Sequence, residues 1–171
     1  CRYCGYPCTH PDVVNNQCMT CHAMIYARIT AGETVTYYDS VISAFEALNK
    51  ITESPVTLAI LGTPTANEQL KVSKTVTLDL SGGSITKETV GNGNYSLEVC
   101  DGANLTITGS GAVKCITDPI EGNGILVSGG SLNVQGGEFG VAGSGCYGLV
   151  VNGGTVQLTA ASFTVSTIIL T

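Results

Sequence analysis

The sequence predicts an all-β protein built as a parallel β-helix, with a capping helix before it and a small Cys/His-rich knot at its start. Three observations lead to this fold class. Glycine-punctuated segments recur with a period of roughly 24 to 27 residues, which is typical of a solenoid. An amphipathic segment precedes the first of them, and five of the eight cysteines lie within residues 1–22. We therefore divide the chain into a knot over residues 1–30 and a helix-capped β-helix over residues 31–171.

The knot comes first, and its cysteines and histidines have the spacing of metal ligands. Cys8, His10, Cys18 and Cys21 offer three thiolates and one imidazole, a set that suits tetrahedral zinc. Four protein ligands leave no open position for water, so the predicted zinc is structural rather than catalytic. The additional candidate ligands are Cys1, Cys4 and His22.

Other interpretations of the knot stay open. Cys1 and Cys4 can join Cys18 and Cys21 as a zinc-ribbon set of four. An oxidising exterior favours disulfides instead, and each bridge would stabilise the knot by roughly 2 to 4 kcal/mol. The run from Cys18 to His22 also matches C-x2-C-H, the attachment sequence of a c-type haem. The surplus cysteines around this run make haem the least favoured interpretation.

The second element is a short helix. In the stretch TYYDSVISAFEALNKI, apolar residues recur at helical spacing after Asp39 or Ser40 as the N-cap. The apolar face consists of Val41, Ile42, Phe45, Leu48 and Ile51. A strand over residues 56–61 follows. We expect the helix to close the first coil, whose unpaired edges would otherwise invite aggregation.

The remaining elements are coils of three short strands each. The coils begin at Leu70, Leu97, Ile125 and Leu149. Alternation inside each strand points every second side chain inward, where it stacks on the adjacent coils. The middle strands predict an inner column of Leu78, Leu105, Leu132 and Val156. The third strands predict a second inner column of Ile85, Val113, Phe139 and Phe163.

Outward positions predict the chemistry of the surface. The middle strands place Asp79, Thr106, Asn133 and Gln157 in one outer column. The first strands place Lys71, Glu98, Leu126 and Val150 in another, where the first two can form an ion pair and the last two need a cover. Polysaccharide-cleaving enzymes on this fold need clustered acids. Since these columns hold no two carboxylates in succession, we predict no catalytic site.

Five quoted stretches carry a resemblance to a known family: CTHPDVVNNQCMTC, TYYDSVISAFEAL, TVTLDLSGGSI, NLTITGSGAV and GGSLNVQGGEF. In order and wording they resemble large cell-surface proteins of gut and other Firmicutes, in which a C-x-H...C-x2-C knot leads into a right-handed parallel β-helix. The resemblance implies that architecture and a surface location on a bacterium. His22 departs from the pattern, because a glycine is expected after the C-x2-C pair.

Composition excludes two classes of partner. The formal net charge is -6, and no basic stripe follows the coils, so we expect no nucleic-acid partner. No apolar run approaches the roughly 18 residues of a membrane span. Low charge, abundant threonine and the even number of cysteines favour a secreted or cell-surface protein.

These observations predict a non-catalytic extracellular module that serves as a stalk, an adhesin or a glycan-contacting β-helix. Its expected partners are surface glycans or host or matrix proteins. One alternative is a fibre subunit whose solenoid ends associate head to tail. The other is a fragment of a carbohydrate-active enzyme, with Asp79, Glu98 and Asp101 as the candidate acids.

Overall fold

The computed structural model describes residues 9–88, 94–116, 122–142, 147–164 and 168–170, which form a mainly β structure with one short helix. The N-terminal elements are β1 (Val13–Val14), β2 (Gln17–Cys18), β3 (Ala27–Ala31), β4 (Thr34–Tyr38) and α1 (Val41–Leu48). The later strands are β5 (Val56–Gly62), β6 (Thr65–Ala66), β7 (Leu70–Val72), β8 (Thr75–Gly83), β9 (Ile85–Glu88), β10 (Asn94–Val99), β11 (Asn104–Thr108), β12 (Ala112–Ile116), β13 (Gly122–Val127), β14 (Ser131–Val134), β15 (Glu138–Ala142), β16 (Leu149–Val151), β17 (Thr155–Leu158), β18 (Ser162–Thr164) and β19 (Ile168–Leu170). In these described ranges, no helix has the length and apolar character needed to cross a membrane.

The coils stack their strands into three sheets. The first sheet has the order β19-β16-β13-β10-β7, and the third has the order β18-β15-β12-β9-β6. The second sheet has the order β17-β14-β11-β8-β5-β3-β4, and its strands from β5 to β17 are parallel. Each full coil contributes one strand to each sheet, so equivalent positions of successive coils lie above one another. The mainly β content and the stacked parallel sheets confirm the coarser part of the predicted fold class, and they are consistent with a β-solenoid.

The inner column of the second sheet confirms the predicted stacking for three of its four residues. Leu105 pairs with Leu132, and Leu132 pairs with Val156. The prediction for Leu78 was wrong, because Leu105 pairs with Val76 at an offset of 29 residues between the two strands. A shift of two residues keeps the same side chains inside the sheet. Alternation alone therefore does not separate the two registers.

The outer column of the second sheet changes for the same reason. Thr106 pairs with Thr77 and not with Asp79. Asp79 pairs instead with Thr108, one outward position further along the strand. The later members of the predicted column are confirmed. The column thus loses the single carboxylate that the sequence analysis had placed in it.

The strand register predicted for the inner column of the third sheet is confirmed. Val113 pairs with Ile85 on one side and with Phe139 on the other, and Phe139 pairs with Phe163. Ile85, Val113 and Phe139 are at most 1% exposed. These side chains belong to the continuous apolar core that runs through the coils.

The outer column of the first sheet is also confirmed. Glu98 pairs with Lys71 below it and with Leu126 above it, and Leu126 pairs with Val150. The Lys71 Nζ lies 3.0 Å from the Glu98 Oε2. Since the Lys71 side chain is 56% exposed, the ion pair contributes at most about 1 kcal/mol.

Helix α1 packs over the start of the coils. Its N-cap is Ser40, and the face that contacts the core consists of Val41, Ala44, Phe45 and Leu48. After the helix, the Asn49 side chain pairs with the edge strand β7. Its Nδ2 donates to the Lys71 carbonyl at 2.9 Å, and its Oδ1 accepts from the Ser73 N–H at 3.0 Å. These bonds satisfy edge groups that would otherwise be open to another strand.

The hairpin of β3 and β4 is an element that the sequence analysis missed. Strand β3 pairs antiparallel with β4 on one side and with β5 on the other, so the hairpin extends the second sheet by two strands. The boundary predicted between residues 30 and 31 falls inside β3. A signal was present, because ARITAGETVTYY alternates around Gly32, whose φ of +56° suits a tight turn.

Two turn glycines differ in how closely the coils approach them. Gly109 has a φ of +90°, and a Cβ at this position would overlap the backbone nitrogen of Ser81 in the preceding coil. Gly102 has a φ of +73°, but a Cβ there would meet nothing within 4 Å. Both positions favour glycine for conformation, and only Gly109 also requires it for packing.

Candidate metal centre

The β1–β2 hairpin places Cys18 in the knot. Val13 pairs with Cys18 across a two-residue loop formed by Asn15 and Asn16. Both asparagines have a positive φ, 50° and 60°, as a type I′ hairpin turn requires. Asparagine visits this conformation more readily than most residues do. The Asn-Asn pair therefore sets the register that buries the Cys18 side chain.

The C-x2-C segment forms a tight turn directly after β2. The His22 N–H donates to the Cys18 carbonyl at 2.8 Å, so the chain makes one helix-like turn that brings Cys21 back beside Cys18. His22 has a φ of +57°. This left-handed conformation explains why a glycine is expected after the pair. A histidine adopts it at a cost of about 1–2 kcal/mol.

His10, Cys18 and Cys21 come together as a buried group. Their candidate ligand atoms all lie within 4.8 Å of one another, and Cys21 Sγ lies 3.4 Å from His10 Nδ1. The three side chains are 6%, 0% and 4% exposed, respectively. In the described part of the knot no disulfide joins the two cysteines. Buried sulfur and imidazole ligands at this spacing can hold a metal ion.

The electrostatics of Cys18 favour its ionised form. Burial alone raises the pKa of the Cys18 thiol, because a thiolate loses its hydration. Hydrogen bonds from the Cys21 backbone, the His10 side chain, the Thr20 backbone and the Cys21 side chain outweigh burial and lower that pKa to about 6. A thiolate is the form of cysteine that binds metal.

An apolar floor holds the group against the second sheet. Cys18, Cys21 and Ile25 form a small cluster of their own, and Tyr37 of β4 and Leu61 of β5 pack against it. The hairpin that the sequence analysis missed therefore supplies part of this floor. No pattern in the Cys/His spacing could have indicated it, since both supporting residues lie outside the knot.

The predicted ligands divide into three groups. His10, Cys18 and Cys21 lie together as described above. Cys8, Cys1 and Cys4 lie outside the described residues, so their predicted roles stay predictions. His22 is exposed and does not belong to the buried group.

Comparison of the chain with protein-family models, with curated proteins and with solved structures finds no significant match.

Proposed function

We propose that the chain is a non-catalytic surface module, a right-handed parallel β-helix whose N-terminal end is closed by α1, the β3–β4 hairpin and a zinc-stabilised knot. The observation that carries this proposal is the combination of stacked parallel sheets with the buried group of His10, Cys18 and Cys21. A solenoid suits a stalk or an adhesin because each coil contacts only its neighbours and adds length without altering the rest.

Zinc is the metal that the donor set favours. Two thiolates and one imidazole are ligands that zinc shares with few other abundant ions, and Cys8 lies two residues before His10, where it can supply a fourth. Four protein ligands make the site structural. The burial of both sulfurs supports an ion rather than a porphyrin, and so does the exposed position of His22.

Native mass spectrometry of the whole chain tests the metal. We expect one zinc ion per chain that is lost to a chelator, and we expect Cys18→Ser to abolish it. The matched control is Cys100→Ser, because Cys100 is half-buried in a turn outside the knot. A chain without zinc that gains two daltons for each bridge on reduction would support disulfides instead. A covalent porphyrin mass would support the haem interpretation.

The positions of the acidic residues support a non-catalytic role. Glu98 lies on the first sheet and Asp79 on the second, and Asp101 lies in the turn between β10 and β11. The Glu98 carboxylate accepts hydrogen bonds from Gln69 and Ser128 in addition to its ion pair. A glycan-cleaving activity that disappears when these three carboxylates are replaced would overturn the proposal.

The surface location is supported by the resemblance of five motifs to those of Firmicutes surface proteins and by the low charge of the chain. Antibody labelling of intact cells that express the natural protein tests it. We expect labelling without permeabilisation. Labelling that needs permeabilised cells would contradict the extracellular assignment.

A second candidate function is head-to-tail assembly into a fibre. The second sheet ends on β4 and on β17, and both edge strands expose an apolar side chain, Val35 at 48% and Leu158 at 43%. Unpaired strand edges of this kind can pair between copies. Sedimentation velocity at increasing protein concentration tests this candidate. A chain that stays monomeric at every concentration would exclude head-to-tail assembly.

A further inference from the structure

A shallow groove runs along the outer surface of the second sheet between two ladders of side chains. One ladder consists of Asn104, Ser131 and Thr155, and the other consists of Thr106, Asn133 and Gln157. The strand segments at Leu105, Leu132 and Val156 line the groove between them. Its volume is about 360 Å³.

The first ladder is ordered by its own hydrogen bonds. The Ser131 and Thr155 hydroxyls lie 2.8 Å apart, and the Asn104 Nδ2 donates to the Thr75 hydroxyl at 3.3 Å. Side chains that are already held in place lose little conformational entropy when a ligand binds. This wall of the groove is therefore preorganised.

The second ladder contains an unsatisfied polar atom. Among the described residues, the buried Oδ1 of Asn133 has no hydrogen-bond partner. A buried acceptor without a donor is unfavourable. Since the Asn133 amide lines the groove, a rotation of this amide would bring the oxygen to the groove surface, where a ligand hydroxyl can supply the missing donor.

The second ladder continues as an uncharged stripe beyond the groove. Thr106 pairs with Thr77, Thr77 pairs with Thr57, and Thr57 pairs with Thr30. Asp79 lies in the neighbouring column with Thr108. Six successive strands thus present a hydroxyl or an amide at one outward position, and none of them presents a charge there.

The chemistry of this surface fits an uncharged, extended and hydroxyl-rich ligand. Amides and hydroxyls donate and accept hydrogen bonds, which is what sugar hydroxyls need, whereas a phosphate backbone needs cations. Strands in a sheet lie about 4.8 Å apart. That spacing is close to the length that one sugar unit adds to an extended glycan chain, so each coil can meet one unit.

We propose that the groove between these two ladders binds a neutral, linear glycan along the axis of the coils. This inference rests on the proposed surface function and identifies where and what the module would bind. The groove spans β11, β14 and β17, so affinity should increase with chain length until about three to four sugar units are bound. The absence of charge in the stripe should make binding nearly independent of salt.

The test is a titration of the full chain with neutral β-1,4-linked oligosaccharides of two to six units, followed by NMR. We expect shifts of the amides of β11, β14 and β17, and we expect Thr106→Val and Asn133→Ala each to weaken binding about three- to tenfold. The matched control is Thr86→Val, because Thr86 lies on the third sheet, away from the groove. It should bind as the natural chain does.

Three results would overturn the proposal. They are equal binding by the groove variants and the natural chain, preference for charged oligogalacturonate over neutral chains, and no binding of any neutral oligosaccharide. Zinc content and surface labelling are measured on the same protein. If the groove proposal fails while zinc content and surface labelling are retained, the proposed surface function still stands. If zinc and surface labelling are both absent, the proposed surface function fails as well.

Discussion

The knot and the coils of this chain solve the same problem of building a core in opposite ways. The coils bury one continuous apolar core, in which each inner side chain lies on its counterpart in the next coil. The knot has only Cys18, Cys21 and Ile25 as a buried apolar cluster, with His10 beside them. So small a cluster cannot offset the entropy of ordering its own segment. The comparison shows that the candidate metal ligands collect where the buried apolar area is small.

The two regions should also fail in different ways. In the proposed zinc knot one ion would hold all the ligands together, so removal of one ligand should remove the support of the others. A coil side chain contacts its neighbours above and below, and its loss leaves distant coils intact. Four predictions test this contrast, in order of decreasing effect.

The largest effect is expected for Cys18→Ser. Structural zinc contributes on the order of 10–16 kcal/mol of apparent binding free energy to small zinc-dependent folds, so loss of a thiolate ligand should unfold the knot. Hydrogen exchange should show loss of protection over residues 10–25 and retained protection in β8, β11 and β14. The control Cys100→Ser should leave both regions protected. Uniform loss across knot and coils would contradict their separation.

The next effect is expected for Phe139→Ala, in the coils. Phe139 is 1% exposed and its side chain lies in the continuous apolar core, so the cavity should lower the free energy of unfolding by about 3–5 kcal/mol. Denaturant unfolding measures this free energy. Gln135→Ala is the control, and because Gln135 is exposed, this change should alter the free energy of unfolding by less than about 0.5 kcal/mol. Zinc content should stay the same, and a loss of zinc would show that the two regions are coupled.

A smaller effect is expected where the coils turn. Gly102→Ala should lower the free energy of unfolding by about 1–2 kcal/mol, because alanine is strained at a positive φ. Gly109→Ala should cost about 1–3 kcal/mol more, because its Cβ also overlaps Ser81. The difference between the two variants in thermal unfolding measures the cost of the overlap between neighbouring coils at Gly109. Equal losses would mean that the turn relaxes without strain.

The smallest effect is expected for His22→Gly, in the knot. Glycine adopts the positive φ of this position freely but loses more entropy on folding, so the net gain should be about 0.5–1 kcal/mol. Zinc per chain should not change. His22→Ala should bring no such gain, since alanine meets the same conformational cost. Loss of zinc in either variant would make His22 a ligand.

Sequence reasoning was sufficient where local pattern determines the answer. Alternation predicted which residues of the coils point inward, including Ile85, Val113 and Phe139, because the side-chain period of a strand is two. The spacing of the Cys/His knot predicted that His10, Cys18 and Cys21 form part of one ligand set, and these three side chains do lie together. Both features depend on residues close in the chain or on a repeated pattern.

Tertiary structure decided the features that have no local signal of their own. The true partner of Leu105 is Val76, and a register two residues away satisfies the same alternation equally well. The packing of Tyr37 and Leu61 beneath the knot depends on a hairpin that joins the sheet from outside the repeat. The sequence by itself therefore determined which side chains of the coils point inward and which candidate ligands of the knot lie together. Their exact neighbours depend on contacts between distant segments, and only the folded chain brings those segments together.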